Sequence, residues 1–379
     1  MARHGENIFR RKDGRWEARL PEHRVNGSRT YRSFYGKSYA EAKAKKETYR
    51  DTVHRKPASR ELTAFSYLAE SWLAAVKVTV KESSYTRYHR NVYSYLVPSI
   101  GQYAISGIDA ALAERMREDL LSRGGKRGAG LSDKTVSDIF STLKRILLYA
   151  SEHGYPAANI ASLRNPRKAR KKAEVIPDDD IHRLESILLD SKESICPGIL
   201  LTLHTGLRSG ELCGLRWGDF DFRSSSVQIR RTVERIDDLT PSAERKTKVI
   251  TGEPKTDTSR RVIPLPGALC RYLREHRKED GSYLLTGTDR PSEPHTLYVR
   301  FERFLKRNGF GKYSFHALRH TFATRGIAFG FDAKSMSEIL GHSDVTTTLR
   351  CYVHPSMEQK RKQMENLFDS RGCRQKYGL

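Results

Sequence analysis

Several things are scarce in this 379-residue chain. Paired cysteines are missing. Cys196, Cys213, Cys270, Cys351 and Cys373 show no Cys-x-x-Cys spacing, which argues against a zinc site or a disulfide framework and for reduced thiols. No apolar run approaches the roughly 20 residues of a membrane helix, and the N-terminus has no signal-peptide core, so a cytoplasmic protein with no membrane partner is expected. Internal repeats and low-complexity runs are absent. Acidic residues are in deficit: 45 Asp plus Glu against 69 Lys plus Arg leave a formal charge of +24. That surplus runs through patterned, foldable sequence, which favours a structured protein with a polyanionic partner, nucleic acid above all.

What is present reads as a multidomain α+β chain of three blocks. Residues 1–56 read as a small three-stranded sheet plus a helix. Asp13-Gly14 and Asn26-Gly27 supply hairpin turns, and Trp16, Ala18 and Leu20 alternate with polar neighbours. A helix starts at Ser38, with Glu41 completing a capping box. Residues 1–60 hold 17 Lys plus Arg against 7 Asp plus Glu, and a basic sheet face suits a major groove. Arg10, Lys12, Arg19, Arg29 and Arg32 are the contact candidates there. Residues 62–155 read as a four-helix bundle. The stripe Phe65, Leu68, Ala69, Trp72, Leu73 and Val76 follows Thr63 as expected cap; Tyr85, Tyr88, Val92 and Tyr95 mark a second helix, Leu112, Met116 and Leu120 a third, and Val136 to Leu147, after Ser132, a fourth. Lys77, Lys81, Arg87, Arg90 and Lys134 lie on its exposed faces as further DNA candidates. Residues 156–175 form a basic linker carrying Arg167, Lys168, Arg170 and Lys171. Residues 176–355 read as a mostly helical block with a small antiparallel sheet from Val227, Val249 and Arg261 onward, followed by a tail at 356–379.

The third block carries the chemistry. Arg208 stands in Thr205-Gly206-Leu207-Arg208-Ser209-Gly210-Glu211, with Ser209 the expected cap of a short helix and Glu211 placed to orient the arginine. Arg319 lies on a helix three residues after His316, so both project from one face. His320 lies about 100° further round than Arg319 and is expected to bond inside the core, which makes His316 the better site histidine. His342 follows Leu340-Gly341, a glycine suited to a helix end, and Tyr352 lies on the next helix. Two guanidiniums form a clamp for one phosphate, because each is a planar fork of donors that stays charged. Each string alone also reads as an ordinary turn, a structural histidine or a packed tyrosine; the constellation and its order carry the argument.

Arg-x-x-Glu at 208–211, a hairpin lysine, His-x-Leu-Arg-His at 316–320, Leu-Gly-His at 340–342 and then Tyr352 resemble the tyrosine recombinase (phage integrase) family in that order. The lysine enters by this resemblance: Lys255 in Pro254-Lys255-Thr256-Asp257-Thr258-Ser259-Arg260-Arg261, with Lys246 and Lys248 as nearby competitors. The first block resembles the arm-binding sheet domain of conjugative-transposon and related phage integrases, and the second that family's core-site-binding domain. The resemblance implies a site-specific recombinase that integrates and excises a mobile element through a 3′-phosphotyrosyl intermediate. Arg208, Lys255, His316, Arg319, His342 and the nucleophile Tyr352 would be catalytic, with Glu211 and His320 in support. His316 would accept the phenol proton and Lys255 would protonate the leaving 5′-oxygen. No metal or cofactor is called for. The implied partners are duplex DNA at core and arm-type sites, a homotetramer on DNA held in part by the C-terminal tail, and an accessory DNA-bending or directionality protein. A type IB topoisomerase-like relaxase and a non-enzymatic DNA-binding regulator are the competing readings; the N-terminal sheet block speaks against the first and the complete residue set against the second.

Overall fold

In a computed structural model of the protein the described residues are 7–11, 13–23, 29–54, 62–125, 128–156, 174–240, 242–254 and 257–352, with a few positions between 357 and 365. The chain forms two compact units, Met1–Arg170 with Asp237–Glu244 and Lys171–Ile236 with Arg245–Leu379. The linker arginines and lysines at 167, 168, 170 and 171, the turn at Asn26-Gly27, Lys12 and most of the tail lie outside the described residues. Among the described residues no helix is long and apolar enough to cross a membrane.

The first unit opens with an antiparallel sheet in the order β1 (Ile8–Arg10), β2 (Trp16–His23), β3 (Arg29–Gly36). Its first turn needs Gly14 at φ +83°, a region glycine enters without steric cost. One face packs Ile8, Ala18, Trp16 and Phe34 against Ala42 and Tyr39 of α1 (Tyr39–His54). The Glu41 N–H donates to Ser38 Oγ at 3.2 Å, while the Glu41 carboxylate accepts from the Lys37 N–H at 2.8 Å, one residue earlier than a capping box would place it. The register Glu17↔Tyr35 and Arg19↔Ser33 sets these four on the opposite, open face. There Glu17 is buried beneath its donors: Arg11 at 3.1 Å, Arg19 at 2.8 Å and Ser33 at 2.6 Å.

A four-helix bundle follows: α2 (Phe65–Lys77), α3 (Glu82–Asn91) running through a π turn (Val92–Leu96) into α4 (Val97–Ile100), α5 (Ala110–Arg123) and α6 (Asp133–Glu152). The expected stripes of α2, α5 and α6 meet in one core. Two details differ from the sequence expectation. Ala64, not Thr63, is the N-cap of α2, because the Thr63 carbonyl is engaged by the Ile105 N–H at 2.9 Å and the helix starts one residue later. The π turn holds more residues per turn than an α-helix, so Leu96 rather than Tyr95 takes the buried position.

The second unit contains α7 (Asp178–Asp190), α8 (Cys196–Thr205), α9 (Ser209–Cys213), β4 (Phe220–Asp221), β5 (Ser226–Ile229), β6 (Thr232–Asp237), β7 (Thr247–Gly252), β8 (Arg261–Pro264), α10 (Gly267–Glu275), α11 (Pro294–Arg307), α12 (Phe315–Ala328), α13 (Ala333–Leu340) and α14 (Val345–Tyr352). Strands β4, β5 and β8 form one antiparallel sheet, and β6 pairs with β7. A large core joins the inward side chains of α7, α8, α10, α11 and α12 to Val227, Ile229 and Ile263 of the sheet. A smaller one packs Ala323, Met336, Leu340 and Tyr352 with Phe322 and Ile327, which seats α13 and α14 against α12. The α+β architecture is the one the sequence led us to expect.

Candidate functional site

Helix α8 ends at Gly206, whose φ of +64° reverses the chain toward α9. The turn is tight: a Cβ on Gly206 would lie 2.6 Å from Leu340 Cδ2 and 2.7 Å from Phe322 Cδ1. This reversal leaves Arg208 as the N-cap residue of α9, with Ser209 its first helical residue. The Ser209 hydroxyl, expected as the cap, instead bonds the Tyr298 hydroxyl at 2.8 Å. Glu211 satisfies the helix start by accepting the Arg208 N–H at 3.0 Å, and it accepts Arg208 Nη1 at 2.8 Å. Arg208 Nη2 donates to the Gly341 carbonyl at 2.8 Å.

Arg319 reaches the same place from α12. It is 2% exposed and donates through Nη1 to the Gly206 carbonyl at 2.7 Å and through Nη2 to the Leu340 carbonyl at 2.9 Å. The two guanidiniums therefore grip consecutive carbonyls where α13 ends, Leu340 and Gly341, whose Cα atoms stand about 3.8 Å apart. Burial, then the charge of Arg208, pulls the Arg319 pKa down to about 9, which leaves it charged at neutral pH. Arg319 Nη2 also donates to His342 Nε2 at 2.8 Å, so the His342 proton sits on Nδ1 and is donated to Thr348 Oγ1 at 2.8 Å. Burial and the surrounding arginines hold the His342 pKa near 4, in keeping with a neutral ring.

Tyr352 is 7% exposed, and its hydroxyl lies 2.7 Å from His320 Nδ1. This corrects the expectation that His320 is a core histidine and His316 the tyrosine's partner. Residues 316 and 320 are one helical turn apart and share a face, their rings edge to face at 4.5 Å. The helix presents His320 to α14 and leaves His316 at the outer edge. Partial loss of water around its inner side, then His320 and the two arginines, take the His316 pKa to about 4. Burial lowers the pKa of His320, with Arg319 adding to the effect, and burial raises that of Tyr352 against the opposing pull of Arg319. Both partners are thus neutral at pH 7.

Glu211 lies at the centre of a second set of bonds. It is 3% exposed, and Arg261 of β8 donates to both of its oxygens, at 3.1 and 2.9 Å. Burial alone would raise the Glu211 pKa, but Arg261 and Arg208 hold it below the ordinary carboxylate value. Sequence reading missed the part Arg261 plays. The signal was its strand parity: it shares a side with buried Ile263, and a charged residue at an inward position implies a buried counter-charge.

A cleft of about 580 Å³ opens onto Arg208, Glu211, Gly341 and His342, walled by Thr232 to Arg235, Pro254, Ser259 and Tyr298. Lys255 lies outside the described residues; Pro254 on one side of it and Ser259 on the other line this cleft. A separate cleft is walled by Glu193, Arg300, Arg303, Lys306 and Arg307. Among the described residues no group of three or more His, Cys, Asp or Glu is arranged to hold a metal ion.

The DNA-contact candidates fall on several faces. Arg19 lies on the open face of the N-terminal sheet, over the Phe9 ring. Arg32 stacks on Tyr49 of α1, the opposite side, and Arg10 shares that parity through its pairing with Trp16. Arg29 is in β3. Lys77 and Arg87 are exposed beside Tyr85 and Tyr88, and Lys81, Arg90 and Lys134 are also exposed.

Comparison with known proteins extends these observations. The model of the phage integrase family matches residues 174–359, and that of the phage integrase N-terminal SAM-like domain matches residues 64–121. A tyrosine recombinase XerC-like protein of Caldanaerobacter subterraneus subsp. tengcongensis is 29% identical over 371 residues, covering 91% of this chain and 93% of that protein. A tyrosine recombinase XerC of Xylella fastidiosa is 27% identical over 76% of this chain and 92% of its own length. Among solved structures, the Tn1549 transposon integrase in complex with transposon right end DNA superposes with a TM-score of 0.64 at 22% identity, covering 80% of this chain and 99% of that one. A lambda integrase tetramer bound to a Holliday junction superposes with a TM-score of 0.56 at 15% identity, over 94% and 99% of the two chains. These two are likenesses of fold.

Proposed function

The chain belongs to the phage integrase family of tyrosine recombinases, and from that premise we propose that it cuts and rejoins DNA at specific sites through Tyr352, integrating and excising a mobile element. The observation that carries this reading is the docking of Arg208 and Arg319 on adjacent carbonyls, with Tyr352 bonded to His320, the residue next to Arg319. Paired guanidiniums neutralise the scissile phosphate and the charge that builds on its oxygens during attack, a preorganised electrostatic stabilisation. His342 holds the Arg319 guanidinium in place. His320 Nδ1 takes the phenol proton as the Tyr352 oxygen bonds to phosphorus. The P–O5′ bond breaks, the 5′-oxygen takes a proton from Lys255, and a 3′-phosphotyrosyl link remains. Attack by a 5′-hydroxyl of another strand reverses the sequence, so no external energy source is consumed.

The surplus of 24 positive charges supports duplex DNA as the partner. The N-terminal sheet and the four-helix bundle offer two separate DNA-binding elements, for arm-type and core sites, and the working assembly on DNA is a homotetramer with an accessory DNA-bending or directionality protein. A nicked suicide substrate tests the chemistry. Wild-type protein should accumulate a covalent adduct that maps to Tyr352, whereas Tyr352→Phe should bind the same duplex and yield none. An adduct formed by Tyr352→Phe would refute the assignment.

A further inference from the structure

Resting on that reading, we propose that Arg261 is a positioning residue for the cleavage step, acting through Glu211 to aim Arg208 at the phosphate. Arg261 is a buried cation, its side chain 7% exposed. All three of its nitrogens donate within the protein. Nη1 and Nη2 bind the two oxygens of Glu211, Nη1 also meets the Ser259 carbonyl at 3.1 Å, and Nε meets the Ile339 carbonyl at 2.5 Å. Four of its five N–H groups are thereby used within the protein.

The three partners belong to three segments that must agree for chemistry. Glu211 holds both the main chain and the guanidinium of Arg208. Ile339 sits in the last turn of α13, just ahead of the carbonyls that receive Arg319 and Arg208. Ser259 lies four residues after Lys255 in the cleft wall. Space is also fitted around the guanidinium: a Cβ on Gly341 would lie 2.9 Å from Arg261 Nη1.

A carboxylate shared between two guanidiniums fixes the geometry of each. Arg208 is the more exposed of the two, with a side chain 37% exposed, and it faces the cleft. Without the Arg261 fork, Glu211 is free to rotate onto Arg208 alone and draw it away from the substrate. A lysine at 261 keeps the charge, but its compact ammonium cannot match both carboxylate oxygens and Ile339 at once.

The test is single-turnover cleavage of the nicked suicide substrate at saturating protein, beside core-duplex affinity and thermal unfolding. Failure of wild-type protein to form the adduct would remove the recombinase reading itself. With that adduct in hand, Arg261→Lys should cleave about 10²-fold or more slowly, the scale of losing one transition-state donor, while duplex Kd changes less than about threefold and the midpoint of unfolding is retained. Combined with Arg208→Lys, it should slow cleavage by less than about threefold beyond Arg208→Lys alone, because both act along one route. Losses that multiply, or a near-wild-type rate for Arg261→Lys, would overturn the proposal. If Arg261→Lys does not fold, Glu211→Gln takes its place: a single uncharged amide oxygen cannot keep the four bonds that the two carboxylate oxygens accept from Arg208 and Arg261, and the same loss and the same lack of additivity are expected.

Discussion

In the proposed mechanism, the bond between Tyr352 and His320 makes cleavage depend on pH in a defined direction. His320 accepts a proton only as the neutral base, and its pKa lies below the usual 6.5 for lack of surrounding water and because of Arg319. The acid limb of the single-turnover rate should therefore fall below pH 6.5, with activity sustained at that pH. The Tyr352 pKa is raised, so the phenol stays protonated through neutrality and needs this acceptor. His320→Ala should lose about 10²–10⁴-fold in rate and lose the acid limb, leaving a rate that climbs with pH toward ionisation of the phenol. A pH profile from 5 to 9 with an unchanged acid limb in His320→Ala would return the acceptor role to His316. At this scale the sequence disclosed the identities and hid the pairings. Arg208, Arg319, His342 and Tyr352 stand out by type and order, but helical angles place residues around one axis without saying which neighbouring helix each side meets. That is why His316 looked the better partner for Tyr352.

Among elements, the reversal between α8 and α9 matters most, since the Gly206 carbonyl anchors Arg319 and the next residues set Arg208. Gly206→Ala combines a left-handed backbone with contacts of 2.6 and 2.7 Å to Leu340 and Phe322. It should cost about 2–5 kcal/mol of stability in urea unfolding, adding a backbone penalty of roughly 1–2 kcal/mol to overpacking of about 1–3 kcal/mol, and adduct formation should fall with it. An unshifted unfolding midpoint would show that the turn relaxes without cost. Elements ruled by local chemistry were legible: the Asp13-Gly14 turn, the apolar stripes of α2, α5 and α6, and Gly341 closing α13 at φ +65°. Those ruled by distant partners were not. The carbonyl of Thr63 is taken by Ile105, and the π turn sets Val92 and Leu96 into a core shared with the other helices, neither of which leaves a mark within a short window.

For the whole molecule, charge is the feature that follows from composition alone. With 69 basic and 45 acidic residues, duplex affinity should fall by about 10³–10⁵-fold between 50 and 200 mM salt if six to ten phosphates are contacted. Fluorescence anisotropy across a salt series reads this slope, and a flat response would exclude the basic surfaces as docking faces. The anchors of the two arginines carry one further implication. Gly206, Leu340 and Gly341 hold them through peptide oxygens, which every amino acid possesses. Replacing a side chain at these positions cannot erase the acceptor. Inherited damage there must work by displacing the main chain, so the grip of this recombinase on its arginines is only as durable as the trace of its backbone.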